Sequence, residues 1–152
     1  MPNQGNNPVI GGGGYHHVAI KAIDYDETLK FYMEGLGFTR RYGWGKDDRE
    51  TGGRDSRAAL LDGGDGNYLE VFAGGSGTPW AEVPESVFLH IAFRTTDIVS
   101  ATERARAAGA LITIEPKSVI PPNADEPAQT LRVAFFRGPS GEIVEFFQND
   151  EL

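Results

Sequence analysis

Apolar and polar residues alternate along this chain with two different periods, and the same succession of periods occurs twice. Over residues 15–23 the period is two. His17, Ala19 and Lys21 fall on one face and Val18 and Ile20 on the other, the pattern of a half-buried strand. The period then lengthens. Asp24 is a good N-cap, and Glu27 three residues later gives a capping-box-like start. Tyr25, Leu29, Tyr32, Met33 and Leu36 follow helical spacing, and Gly37 is placed to end the helix in a left-handed turn. Phe38–Tyr42 reads as a strand. Trp44 to Asp55, charged and Gly-containing, reads as a loop. Ala58–Asp62 and Tyr68–Phe72 read as a hairpin across Gly63-Gly64-Asp65-Gly66.

A stretch rich in breakers follows. Ala73 to Glu85 holds Gly74, Gly75, Pro79 and Pro84 and is expected to link two halves. The plan then repeats. Val87–Arg94 is a predicted strand and Asp97 the next N-cap. Ile98, Ala101, Ala105 and Ala108 form a small-residue helical stripe that stops at Gly109. Leu111–Glu115 is a predicted strand, and Lys117 to Thr130, with Pro121, Pro122 and Pro127, a long loop. Leu131–Phe136 and Ile143–Gln148 form the last predicted hairpin. Each half reads strand-helix-strand-strand-strand. One helix does not cover both faces of a four-stranded sheet, so the copies are expected to pack together. The predicted class is α+β: two tandem βαβββ modules, 15–73 and 86–149, forming a curved mixed sheet around a cleft. They make a single domain over 15–152, after a flexible Asn/Gly-rich tail over 1–14.

Chemistry repeats with the pattern. His17 and His90 lie 73 positions apart (90 − 17), and Glu70 and Glu145 lie 75 apart (145 − 70). His17-Val18-Ala19-Ile20-Lys21 reads against His90-Ile91-Ala92-Phe93-Arg94, and Asp24 falls opposite Asp97. Such a repeat means one supersecondary unit used twice. Taken alone, a His at a strand start or a Glu in an apolar strand has an ordinary explanation in hydrogen bonding or edge exposure. Together, two of the three histidines and two apolar-flanked glutamates occupy equivalent repeat positions. Ionised carboxylates beside Leu69, Val71, Val144 and Phe146 are expensive to bury unless a cation pairs with them. His17, Glu70, His90 and Glu145 are therefore candidate ligands for one divalent ion, Zn, Ni, Co, Mn or Fe. His16 competes with His17. Strand alternation places it on the opposite face, its repeat equivalent is Leu89, and it is assigned a structural role.

Composition narrows the partners. A net charge of −8 over 152 residues argues against nucleic acid and, more weakly, against anionic membranes. With no cysteine there is no disulfide framework and no thiolate ligand, which fits a reducing cytoplasm. No apolar run reaches membrane-span length, and residues 1–14 lack the parts of a signal peptide. A small-molecule ligand is the expected partner. A homodimer is expected because open sheet edges are usually paired or covered.

His17-Val18-Ala19-Ile20, the segment Tyr25-Asp26-Glu27-Thr28-Leu29-Lys30-Phe31-Tyr32, and Leu36-Gly37-Phe38 resemble the opening of the vicinal oxygen chelate superfamily. The run Phe135-Phe136-Arg137-Gly138-Pro139-Ser140-Gly141-Glu142-Ile143-Val144-Glu145-Phe146 resembles its closing hairpin. That superfamily includes glyoxalase I, methylmalonyl-CoA epimerase, extradiol dioxygenases, fosfomycin-modifying enzymes and bleomycin-binding proteins, built from paired βαβββ modules. The resemblance implies the glyoxalase I ligand pattern at His17, Glu70, His90 and Glu145. It also implies a metal-dependent lyase or isomerase, with proton transfer next to a carbonyl through a metal-bound enediolate. Glu145, or Glu70 by pseudosymmetry, is the implied base. Lys21, Arg94, Tyr68 and Phe147 are candidate substrate contacts. Where glyoxalase I proteins carry Arg and Asn, this chain has Lys21 and Gly74. Lysine lacks the bidentate fork, so glutathione substrates are expected to react weakly or not at all. Two other readings stay open. One is a different metal enzyme, a dioxygenase or an antibiotic-modifying transferase. The other is a non-catalytic binder in which Trp44, Trp80, Tyr68 and Phe147 stack on a flat ligand.

Overall fold

The structure, a computed structural model, describes residues 9, 15–81, 88–125 and 127–150. The tail expected over 1–14, apart from Val9, lies outside the described residues, as do Val87 and the linker residues Pro84 and Glu85. The chain divides into two compact units, Met1–Gly77 and Thr78–Leu152. Among the described residues no helix is long and apolar enough to cross a membrane.

The first unit runs β1 (His17–Lys21), α1 (Tyr25–Lys30), β2 (Thr39–Trp44), β3 (Ala58–Asp62) and β4 (Tyr68–Phe72). Its four strands form one sheet in the order β1-β4-β3-β2. β1 is parallel to β4, and the other pairs are antiparallel. The second unit runs β5 (Ile91–Arg94), α2 (Ile98–Ala107), β6 (Leu111–Val119), β7 (Leu131–Arg137) and β8 (Ile143–Gln148). Its sheet has the order β5-β8-β7-β6, again with the first and last strands parallel. Each unit is thus a βαβββ module with its own four-stranded mixed sheet.

Local chemistry explains the elements. The Asp24 carboxylate accepts from the Glu27 N–H at 2.9 Å, and Asp97 accepts from the Ser100 N–H at 3.1 Å, so both helices start at a satisfied N-cap. Gly37 (φ +78°) and Gly109 (φ +104°) take the left-handed conformation just past the helical segments. α1 differs from expectation at its end, where Phe31–Gly35 forms a π-helical turn. There the Leu36 N–H donates to the Phe31 carbonyl, five residues back, at 3.1 Å. The wider turn rotates the buried face. Phe31 and Tyr32 go fully inside, while Leu29, Met33 and Leu36 are only half-buried.

One face of each sheet is closed by apolar packing. In the first unit Ala59, Leu61, Leu69 and Val71 are buried, with Tyr25, Phe31, Tyr32 and Phe38 from the helical segment and its exit. In the second, Ile91, Ala134, Phe136, Val144 and Phe146 are buried with Ile98, Thr102 and Ala105 of α2. The expected stripe Ile98-Ala101-Ala105-Ala108 is corrected there. Thr102 is inside, its hydroxyl donating to the Ile98 carbonyl at 2.7 Å, and Ala101 and Ala108 are half-buried. Each large apolar side chain so buried stabilises by roughly 1.5–3 kcal/mol.

Strand boundaries also change: β2 runs Thr39–Trp44 rather than Phe38–Tyr42, so Trp44 belongs to the strand and not to the loop that follows. β6 does not stop at Glu115 but runs through Pro116 to Val119. Register shifts between Ile112 and Ile114 and between Ile114 and Lys117 let an edge strand carry a proline that cannot donate to the ladder. β5 is shorter than predicted, and His90 stands just before it.

Candidate metal centre

Strand pairing decides which side chains meet. In the first unit the register sets His17 beside Tyr68, Ala19 beside Glu70 and Lys21 beside Phe72. Across β3 and β4, Leu60 pairs with Glu70. Partners in register share a face, so His17, Lys21, Tyr68, Glu70 and Phe72 lie together, opposite the Leu69/Val71 side. The second unit repeats this. Ala92 pairs with Glu145, Arg94 with Phe147, and Phe135 with Glu145 from the antiparallel side. Each carboxylate therefore sits between an alanine, which leaves room beside it, and a larger apolar residue.

The two histidines reach their glutamates. His17 Nε2 lies 3.3 Å from Glu70 Oε2, and His90 Nε2 lies 2.9 Å from Glu145 Oε2. Both imidazoles remain accessible, with side chains 43% and 37% exposed, whereas the glutamates are 14% and 10% exposed. Burial pushes the Glu145 carboxyl above its ordinary range, and the neighbouring His90 only partly opposes that shift. The His90 ring stands edge-on to Phe135 at 5.4 Å between centroids. Among the described residues no group of three or more His, Asp or Glu side chains stands together as a metal-holding cluster. Each unit by itself brings one imidazole nitrogen and one carboxylate. This donor chemistry fits a divalent cation, because a buried carboxylate facing an imidazole through Nε2 is a pair a cation would neutralise.

Sequence reasoning misplaced or missed three residues. His16 is not turned to the opposite face. It precedes β1 in a bend, where strand alternation does not apply, and its ring lies 5.2 Å from both the His17 and Tyr68 rings. Phe135, the cross-strand neighbour of Glu145, was not singled out, although its place in the last hairpin's alternation could have found it. The packing of Trp80, a candidate stacking residue, was also missed. Its backbone N–H donates to the Pro139 carbonyl at 2.8 Å, and its ring lies 3.4 Å from where a Cβ on Gly109 would stand. Trp44 keeps its place on the Glu70 face through its pairing with Ala58, 5.8 Å from Tyr42 and 6.0 Å from Phe72 between ring centroids.

A ladder whose first and last strands are parallel, used twice with a His–Glu pair in each copy, defines a paired βαβββ protein. The chain belongs to the glyoxalase/bleomycin resistance protein/dioxygenase superfamily, the vicinal oxygen chelate proteins, whose family model matches residues 14–146. Solved structures agree in fold. A glyoxalase I mutant from Zea mays is 21% identical with a TM-score of 0.65, over 90% of this chain and 45% of that one. FosX, a fosfomycin resistance protein from Listeria monocytogenes solved as a mutant with Mn(II) and a dihydroxypropylphosphonic acid, is 17% identical (TM-score 0.61, covering 91% and 94%). TnmS3, an antibiotic-binding protein from Streptomyces sp., is 18% identical (TM-score 0.60, covering 91% and 97%). No curated protein matches the chain.

Proposed function

We propose that this protein is a metal-dependent lyase or isomerase of the glyoxalase I-like type, which moves a proton next to a carbonyl. The observation that carries this reading is the environment of Glu145: a carboxyl held at 2.9 Å from an imidazole and pushed up by burial. A general base works best when its pKa approaches the working pH, and burial moves a carboxylate that way. His17, Glu70, His90 and Glu145 would hold one divalent ion of the Zn, Ni, Co, Mn or Fe kind, drawing one His–Glu pair from each unit of a chain or from two chains of a homodimer. When bound, the ion supplies Lewis acidity toward the substrate's oxygens.

The chain's own residues do the rest. Glu145 takes the proton from the carbon beside the carbonyl, and the C–H electron pair delocalises onto the carbonyl oxygen. The Glu145 carboxylic acid then returns the proton to the same carbon or, where that carbon carries a hydroxyl, to the neighbouring carbon, the hydroxyl proton passing to the former carbonyl oxygen so that the carbonyl changes places. Glu70 is the alternative base by pseudosymmetry. Lys21 and Arg94 sit beside Phe72 and Phe147, two residues beyond the alanines that flank the carboxylates. They offer positive charge beside an apolar ring, which suits a substrate with an anionic group and an apolar body. Tyr68 lies on the Glu70 face and Phe147 on the Glu145 face.

The test is solvent-deuterium exchange at the α-carbon of small hydroxy acids, oxo acids and thioesters by the metal-loaded protein. Exchange that disappears in Glu145→Gln supports the reading, and a metal-loaded protein that exchanges no such proton refutes it. A second reading, non-catalytic binding of a flat ligand, draws on the row Tyr42, Trp44 and Phe72 on the Glu70 side, with Tyr42 63% and Trp44 40% exposed. Tight binding of an aromatic compound without proton exchange would favour it.

A further inference from the structure

We propose that His16 is a positioning residue for His17: it accepts the Nδ1–H of the His17 ring and so presents the bare Nε2 of that ring for coordination. This rests on the reading of His17 as a metal ligand. The two Nδ1 atoms lie 2.9 Å apart, a hydrogen-bond distance that requires one proton between them. There are two ways to place it. If His16 donates, neutral His17 carries its own proton on Nε2 and points it at Glu70 Oε2, 3.3 Å away. If a neutral His17 donates, its Nε2 is a lone pair, whereas an imidazolium would carry a proton there as well. Only the second arrangement can coordinate a cation through Nε2, so an ion held there fixes the proton on His17 Nδ1 and makes His16 the acceptor. A ligating histidine that donates its other N–H to a fixed acceptor gains orientation and basicity.

His16 is itself held for this task. Its backbone carbonyl accepts from the Tyr68 N–H at 2.9 Å, and its ring tilts against the Tyr68 ring at 56°. Tyr68 belongs to the strand that carries Glu70, so one residue ties the ring of the first ligand to the strand of the second. The assignment also explains why His16 bends onto the face that alternation denied it.

The experiment is a Zn(II) titration against a chelating dye, for the full chain and for His16→Phe, His16→Asn and His17→Ala. Phenylalanine keeps the ring against Tyr68 but cannot accept, whereas the Asn side-chain oxygen can stand where Nδ1 stood. Zn(II) affinity is expected to fall about 10–100-fold in His16→Phe and to stay close to that of the unsubstituted chain in His16→Asn. In the Zn(II)-loaded, unsubstituted protein, imidazole ¹⁵N spectra should show His17 protonated on Nδ1 with slowed exchange. That reading needs no substitution and so holds even if a variant folds poorly. The inference is overturned if His16→Phe and His16→Asn lose affinity equally, if neither does, or if His17 is protonated on Nε2 with zinc bound. Unchanged affinity in His17→Ala would instead overturn the ligand reading, and the role of His16 with it. Loss in His17→Ala without loss in His16→Phe would overturn only the role of His16.

Discussion

The His17–Glu70 and His90–Glu145 pairs share a backbone plan and differ in what surrounds them. Both glutamates sit on the last strand of their module, beside an alanine of the parallel first strand. Glu145 then meets Phe135 where Glu70 meets Leu60, and its contact to histidine is 2.9 Å rather than 3.3 Å. His90 stands edge-on to a phenyl ring, while the Nδ1 of His17 lies 2.9 Å from the Nδ1 of another histidine. The same register therefore yields two environments. The second module dries its carboxylate and raises its pKa, which suits proton transfer. The first surrounds its pair with further polar groups, which suits holding and orienting. Under the proposed reading, pseudosymmetry would supply the ligands and the flanking residues would divide their roles.

Two outcomes bear directly on that asymmetry, and two smaller ones probe the first module around it. The largest is catalytic. Glu145→Gln should reduce proton exchange by about 10²–10⁴-fold, the usual worth of a general base, and Glu70→Gln should reduce it less once metal content is matched. Equal losses, read by deuterium incorporation, would erase the division of roles. Next is stability. His90→Ala leaves the buried Glu145 without its imidazole partner and should destabilise the metal-free protein by about 1–3 kcal/mol in urea unfolding. His17→Ala should have a smaller effect, because His17 is the more exposed histidine and its contact is longer. The reverse order would contradict the comparison of surroundings.

A smaller effect lies in the segment that follows Trp44. Arg57 bridges Asp55 at 2.8 Å and Asp26 at 2.8 Å and lies over the Tyr25 ring at 4.5 Å. It pins that segment to the start of α1. Arg57→Ala should cost about 1 kcal/mol in urea unfolding, since charged hydrogen bonds are lost but one partner, Asp26, is exposed. It should leave metal affinity unchanged, and weakened metal binding would show that the loop supports the ligand pair.

The smallest effect is a pH dependence away from both pairs. Asp62 accepts from the Gly64 N–H at 2.7 Å and the Gly66 N–H at 3.2 Å, and these contacts, with Arg41 nearby, hold its carboxyl below the ordinary 3.8. A carboxyl depressed in the folded state stabilises above its unfolded pKa, and that contribution is lost as pH falls through the folded value. Asp62→Asn should therefore lower unfolding stability at pH 6 and approach the parent below pH 4. A constant difference across that range would mean the turn does not depend on the charge.

What was legible in the sequence was local. The hairpin Ala58–Asp62 and Tyr68–Phe72 has the predicted bounds, because two short apolar runs stand on either side of a Gly-rich turn. Asp24 and Asp97 cap as predicted, since a cap is a contact within three residues. The family resemblance was legible because the motifs of both modules recur in order. Long-range effects were not. The run of β6 through Pro116 depends on bulges against β7, and the π-helical turn over Phe31–Gly35 leaves no mark in the helical spacing of the apolar residues. At the candidate site, residue types and their repeat spacing were readable. The bend of His16 toward Tyr68 and the packing of Trp80 on Gly109 were not, because each depends on a partner remote in the chain.

Metal stoichiometry decides whether the two pairs hold one divalent ion between them, as proposed. Metal-stripped protein would be reloaded with Zn(II), exchanged into chelated buffer and analysed by atomic emission, alongside His17→Ala, Glu70→Ala, His90→Ala and Glu145→Ala. One ion per chain is expected in the parent, with a strong loss in each of the four variants. Retention unchanged in any one of them, or two ions per chain with each lost only to substitutions in its own module, would contradict it.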